Sequence, residues 1–170
     1  MQKPISGLII GPLIDQLTLN ISSRASNFAV NIVNNTGLKS PIFEGCPQNA
    51  IRHVVWQAII TRDLGEKTAN RIGNAHENSF SDSNINRIDT EVDQRNNIIG
   101  RSIGLESKGL SNKDIVYKVL DYYRGEGLWV ITFSNNNTPE IDQMKITEDQ
   151  FISALFELMK LDENGKEKKE

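Results

Sequence analysis

The sequence predicts a mainly α-helical fold: a single compact multi-helix domain with at most a short β-hairpin near 127–146. Three observations carry that reading. Apolar residues recur at i, i+3, i+4 and i+7 through several long stretches. Stop and start signals separate those stretches, among them Asn34-Asn35-Thr36-Gly37, Pro47 and Gly65. Only the run Gly125–Phe133 is β-branched and aromatic enough to read as a strand.

Taken in order, Leu13, Leu17, Ile21, Phe28 and Ile32 predict a first helix over about 11–34. The apolar run Ile5–Ile14 reads as its first turns. It is shorter than the roughly 20 residues of a membrane span and contains Pro12. It also lacks the long apolar region and cleavage site of a signal peptide, so the chain is expected to be made in the cytoplasm without a classical signal. Pro47, suited to a first helical position, opens a second helix to about Asp63, ended by Gly65. A third helix is expected over about 66–79. Ser81-Asp82-Ser83-Asn84 is a polar turn opening a long helix to about Ser107. Ser111-Asn112 caps another, to Arg124. The strand candidate follows, then a turn at Asn135–Pro139. Thr147 with Gln150 forms a capping box for a last helix, with Phe151, Ile152, Leu155, Phe156 and Met159 as its apolar face. Without repeats or linkers, the expectation is one helical domain over 1–161, its catalytic-like core at 45–130, and a charged flexible tail at 162–170.

At 170 residues, 38% hydrophobic and 24% charged, the chain has the composition of a soluble globular domain. A net charge of -3 with scattered basic residues argues against nucleic acid as a partner. The single cysteine, Cys46, excludes an intrachain disulfide.

Chemically capable residues concentrate between Cys46 and Gly104, where both histidines lie. The second helix is apolar on two sides, as in the centre of a bundle, with His53, Trp56 and Ile60 on one of them and Arg52 near the boundary. In the third helix Ala69, Ile72, Gly73 and His76 follow a buried stripe, placing His76 inward with Glu77 next to it. In the long helix Asp89, Asp93, Asn96, Gly100 and Gly104 share one face within about 80°, beside the apolar stripe Ile88, Val92, Ile99 and Ile103. Two carboxylates bordering a core are costly unless paired; Arg52, His53, His76, Arg101 or a ligand are the available partners.

Two inward histidines beside two inward carboxylates favour a site over a pair of satisfied core histidines. The candidate catalytic residues are His53, His76, Asp93 and Glu77. Arg52 and Arg101 either clamp a phosphate or carboxylate or neutralise the acids. Asn96 and Trp56 complete the candidate substrate contacts, although a tryptophan here is more often core, and Asn97 reads as glue between helices. Cys46 has no flanking nucleophile motif. No metal set is singled out: His76-Glu77 lacks the second histidine of a helical zinc motif. A divalent metal, if present, would draw on His53, His76, Asp89 and Asp93 from three helices.

The pattern Asn49-Ala50-x-Arg52-His53-x-x-Trp56-x-Ala58, Gly65, Ala69, Ala75-His76-Glu77 and Asp93-x-x-Asn96-Asn97-x-x-Gly100-Arg101, continuing to Gly127-Leu128-Trp129-Val130-Ile131, resembles an uncharacterised helical domain of bacterial secreted proteins. Its members occur at the toxin ends of polymorphic and type VI secretion effectors. They usually carry an acidic residue where this chain has Asn49, so a role for that carboxylate is absent here. The resemblance implies an antibacterial toxin delivered by secretion machinery into the periplasm of a target bacterium and countered by a cognate immunity protein. It further implies hydrolysis of a lipid-linked phosphate in the cell envelope.

Histidine-based phosphatase chemistry would use one imidazole of His53 and His76 as nucleophile, oriented by a carboxylate such as Asp93, with the second histidine or an acid protonating the leaving oxygen and Arg52 and Arg101 on the phosphoryl oxygens. Two alternatives stay open. One is a metal-dependent peptidoglycan or phospholipid hydrolase, with His53, His76, Glu77 and Asp89 or Asp93 as ligands or base. The other is a non-enzymatic immunity or adaptor protein whose polar seam only fixes helix packing.

Overall fold

A computed structural model describes residues 12–38, 45–77 and 84–168. Among them lie six helices and one two-stranded sheet: α1 (Pro12–Asn35), α2 (Pro47–Leu64), α3 (Glu66–Glu77), α4 (Asn84–Leu105), α5 (Asn112–Gly125), β1 (Leu128–Phe133), β2 (Pro139–Met144) and α6 (Glu148–Lys160). The mainly helical architecture with a single hairpin is as the sequence predicts. Residues 5–11 of the N-terminal apolar run, positions 78–79 of the expected third helix and the Ser81–Ser83 turn lie outside the described residues.

The caps explain the boundaries. Cys46 is the N-cap of α2, its sulfur accepting from the Asn49 amide, with Pro47 at the first helical position. Ser111 and Asp114 form a reciprocal capping box on α5, and Thr147 and Gln150 form another on α6. Each satisfies amides that a helix start leaves unpaired. Gly65, at φ +84°, ends α2 in a backbone region closed to most side chains.

Helix α2 is the axis of the bundle. It touches α1, α3, α4, α5 and β1, and apart from Arg52 every residue from Asn49 to Thr61 is buried. Its closest partner is α4, and two glycines make that approach possible. A Cβ at Gly100 would lie 2.5 Å from the Val54 carbonyl oxygen, and one at Gly104 would lie 2.5 Å from that of Ala58. Both obstacles are backbone, so the α2–α4 spacing depends on the absence of those two methyls.

β1 and β2 pair antiparallel, Leu128 opposite Met144 through Phe133 opposite Pro139. Pro139, expected in the turn, instead opens β2 on an edge where its missing N–H is harmless; Asn137, at φ +58°, makes the turn. The hairpin is docked by Asn96, whose amide donates to the Trp129 carbonyl at 2.8 Å and accepts from the Trp129 N–H at 3.1 Å. Ile131 N–H donates to the Gly45 carbonyl just before α2.

Helix α6 departs from its expected face. It packs on α1 and α5 through Phe151, Ala154 and Leu158, with Leu155 partly buried, while Ile152, Phe156 and Met159 are exposed. The apolar arc of this helix is wider than its contact, and the small Ala154 sets the line of approach. The stretch from Asp162 to Lys168, read from composition as a loose tail, is tied back to the bundle. Asn27 and Asn31 of α1 donate to the carbonyls of Asn164 and Gly165, and the Glu163 side chain accepts from the Asn112 amide.

Candidate functional site

The site forms where α2, α3 and α4 meet. His53 points from α2 into that junction with 1% of its surface exposed. Its Nδ1–H donates to Asn97 Oδ1 at 3.0 Å, and the same nitrogen lies 3.7 Å from Glu77 Oε1. Its Nε2 lies 3.2 Å from Asp93 Oδ2. Two acceptors on opposite nitrogens suit an imidazolium, which donates from both. The Arg52 guanidinium, 3.0 Å from Nε2, works against that charge.

The balance among these groups sets the protonation. Burial alone would lower the His53 pKa, but the charge and hydrogen bond of Asp93 override it and hold the ring above its ordinary 6.5. Glu77 is also buried, and desolvation pushes its carboxyl from an ordinary 4.5 up to about 7, with Asp93 and Asp89 adding repulsion against the attraction of His53. Glu77 Oε1 accepts from Asn97 Nδ2 at 3.2 Å, while its buried Oε2 has no hydrogen-bond partner.

Asp93 is fixed from its other side. Asn49 Nδ2 donates to Asp93 Oδ1 at 2.8 Å, and Asn49 Oδ1 accepts from Arg52. The seam therefore runs as one chain of contacts: Arg52, Asn49, Asp93, His53, Asn97, Glu77. At its edge stand Trp56 and His76. The Trp56 ring lies 6.0 Å edge-on from His53 and 5.3 Å from His76, and the two imidazoles are 5.9 Å apart. The indole N–H of Trp56 is buried without a partner.

Several expected positions change. His76 is exposed rather than inward, and Glu77 takes the buried place. The stripe through Ala69, Ile72 and Gly73 projects between these two neighbours as α3 ends, and Glu77 is the one that meets Asn97. Asn96, expected to contact substrate, has its amide committed to Trp129, whereas Asn97, read as glue, joins His53 to Glu77. Arg101 donates to Gln57 Oε1 at 3.4 Å, one helical turn beyond His53. Burial lowers its pKa. Arg52 is the arginine that reaches the seam. Asp89 is half-buried and acts on Glu77 through its charge.

Among the described residues, His53, His76 and Glu77 form a donor set suited to a cation, with one atom from each within 4.8 Å of the others. Of the residues expected as ligands or base, Asp89 and Asp93 stand outside this set; Asp93 instead faces Nε2 of His53. Sequence reasoning missed Gln57 altogether. Its one signal was a polar residue inside the apolar run from Val54 to Ile60, and its Nε2 is buried without a partner.

Residues 10–126 match a family described as a domain of unknown function, DUF6973. The chain belongs to this family. The DUF6973 stretch contains every residue of the seam, from Asn49 to Arg101, whereas the hairpin and α6 lie beyond it. Neither a curated protein nor a solved structure matches the chain. Among the described residues of this DUF6973 chain, no helix is long and apolar enough to cross a membrane.

Proposed function

We propose that the chain is an antibacterial toxin that hydrolyses a phosphate ester or anhydride on a lipid-linked substrate of the bacterial envelope. The observation that carries the hydrolase reading is the convergence of His53, Glu77 and Asp93 on a buried junction beside a second, exposed imidazole, His76. Envelope, lipid-linked substrate, delivery by secretion machinery and a cognate immunity protein rest on the motif's resemblance to secreted toxins.

The geometry favours a division of labour different from a nucleophilic His53. Both His53 nitrogens are engaged by the protein and the ring is closed to solvent. Its role is then positional and electrostatic, with Asp93 as its partner. His76 is the imidazole a substrate can meet, while Glu77, as closed to solvent as His53, would support it from behind. In hydrolysis the oxygen of water bonds to phosphorus while the bond to the leaving oxygen breaks. Of the two protons of water, one ends on the leaving oxygen, and the exposed His76 would take and return it. Arg52, half-buried at the rim, supplies positive charge for the phosphoryl oxygens.

The test is growth of a bacterial host expressing the chain with and without a periplasmic signal, beside folded His76→Ala and Arg52→Ala variants, followed by phosphate release from purified lipid-linked pyrophosphates. Killing confined to the periplasmic form and abolished by His76→Ala is the expected result. Absence of toxicity in both compartments would overturn the toxin reading, and killing that survives His76→Ala would overturn the site.

The closed wiring of His53 favours one competing reading, an immunity or adaptor protein in which the seam is structural. On that reading substitutions in the seam change stability and nothing else.

A further inference from the structure

We propose that His53, His76 and Glu77 form a three-ligand site for a divalent transition metal of the zinc type. The inference shares residues with the proposed hydrolase but does not rest on its substrate.

Donor geometry comes first. Nδ1 of His53 and Oε1 of Glu77 are 3.7 Å apart, and all three donors fall within 4.8 Å. Zinc bound at about 2.0–2.1 Å to nitrogen and oxygen in a tetrahedron places its ligand atoms about 3.3 Å apart. The first pair is therefore close to a ligating separation already. The remaining closure would come from His76, whose exposed ring lies 5.3 Å from that of Trp56 and 5.9 Å from that of His53.

The surroundings supply the second argument. Metal-bound histidines characteristically give their other ring N–H to a carboxylate, which fixes the tautomer and strengthens the ligand. His53 has that arrangement: Nε2 faces Asp93 Oδ2 at 3.2 Å, leaving Nδ1 toward Glu77 and His76. Asp93 is held in turn by Asn49 at 2.8 Å. A metal ion on Nδ1 would take the place of the proton now given to Asn97, and the Asn97 side chain, 3.0 Å away, would turn aside to admit it.

Independent support comes from Glu77 Oε2, a carboxylate oxygen buried without a hydrogen-bond partner on a residue with 3% of its surface exposed. A buried, unpaired oxygen of this kind is costly, and a bound cation offsets that cost. Two imidazoles and one carboxylate match the preferences of zinc rather than those of calcium or magnesium. Three protein ligands also leave a fourth position for water or substrate on the His76 side, the pattern of catalytic rather than structural sites.

The experiment is direct metal binding by the purified full chain after chelator treatment. Zinc is titrated by calorimetry, and cobalt(II) serves as a spectroscopic substitute that shows the visible bands of a four-coordinate ion. Expected are one zinc per chain, four-coordinate cobalt bands, and affinity reduced by about tenfold or more in His76→Ala. Circular dichroism and the melting temperature in chelator establish that this variant is folded before its affinity is compared. Glu77→Gln should also lose the cobalt bands. Equal zinc affinity in wild type and a folded His76→Ala, or no stoichiometric binding by wild type, would overturn the site. Stoichiometric binding without envelope toxicity would keep the site and remove only the substrate reading.

Discussion

Replacing Glu77 by glutamine should make the fold less sensitive to pH, and the size of the effect follows from where the carboxyl sits. In the folded chain burial raises Glu77 from an ordinary 4.5 to about 7. Below about pH 4.5 both folded and unfolded chains hold the proton, and its contribution is fully present. Between about 4.5 and 7 the unfolded chain releases the proton while the folded chain retains it, so stability falls as pH rises. Above about 7 the loss levels off. At about 1.4 kcal/mol per pKa unit, that rise corresponds to about 3 kcal/mol. His53, also raised, loses its own stabilisation as pH climbs through its folded value, in the same direction. That contribution is present in both proteins, although smaller in the variant, where the negative charge supporting the imidazolium is gone. The assay is urea unfolding of wild type and Glu77→Gln at several pH values from about 4.5 to about 8, in chelator so that no metal binds. Relative to the variant, wild type should lose about 3 kcal/mol across that window. Parallel stability curves would refute the argument, because they would mean that Glu77 ionises in the fold as easily as in water.

Two further substitutions probe the frame around the site. Gly100→Ala brings a methyl to 2.5 Å from the Val54 carbonyl oxygen and 2.8 Å from Gln57 Cβ. It should therefore destabilise by about 1–3 kcal/mol, despite alanine's helix preference of about 1 kcal/mol, as read by urea unfolding; a more stable variant would contradict the close α2–α4 approach. Asn96→Ala removes both bonds to the Trp129 backbone. It should speed hydrogen exchange at the Trp129 amide of β1 and cost about 1–3 kcal/mol; unchanged exchange there would return Asn96 to the list of substrate contacts.

Much of this was legible in the sequence because helices announce themselves locally. Capping residues at Ser111 and Thr147, Pro47 at a helix start and Gly65 at a helix end need no tertiary information. The all-round burial of α2 followed from its lack of a polar face, and the inward turn of Asp93 followed from its place beside the apolar stripe of α4. What stayed hidden depends on which element packs where. His76 and Glu77 are adjacent, as are Asn96 and Asn97, and 100° of rotation separates each pair. A helical wheel shows that both members lie near the core but cannot say which faces α2, α3 or the hairpin. Arg101 and Gln57 were opaque for the same reason, since their pairing depends on the register of α4 against α2. The exposed half of α6 was misjudged because an apolar arc states what a helix can bury and leaves open what it meets.

The physics of the seam argues against a purely structural role. Gly100 and Gly104 bring α2 and α4 too close for a water layer, and His53, Asp93 and Glu77 are all buried beside that contact. Packing alone would be served more cheaply by apolar side chains of the same volume. Asn49, Asn97 and Arg52 satisfy part of the seam, but Glu77 Oε2 and the Trp56 indole N–H stay unpaired. Both belong to residues gathered around His76, the exposed member of the group. Gln57 Nε2 and Thr61 Oγ1 are unpaired as well, deeper along α2, so the unpaired atoms beside His76 are the ones an entering ligand would satisfy. A structural network would instead close on itself.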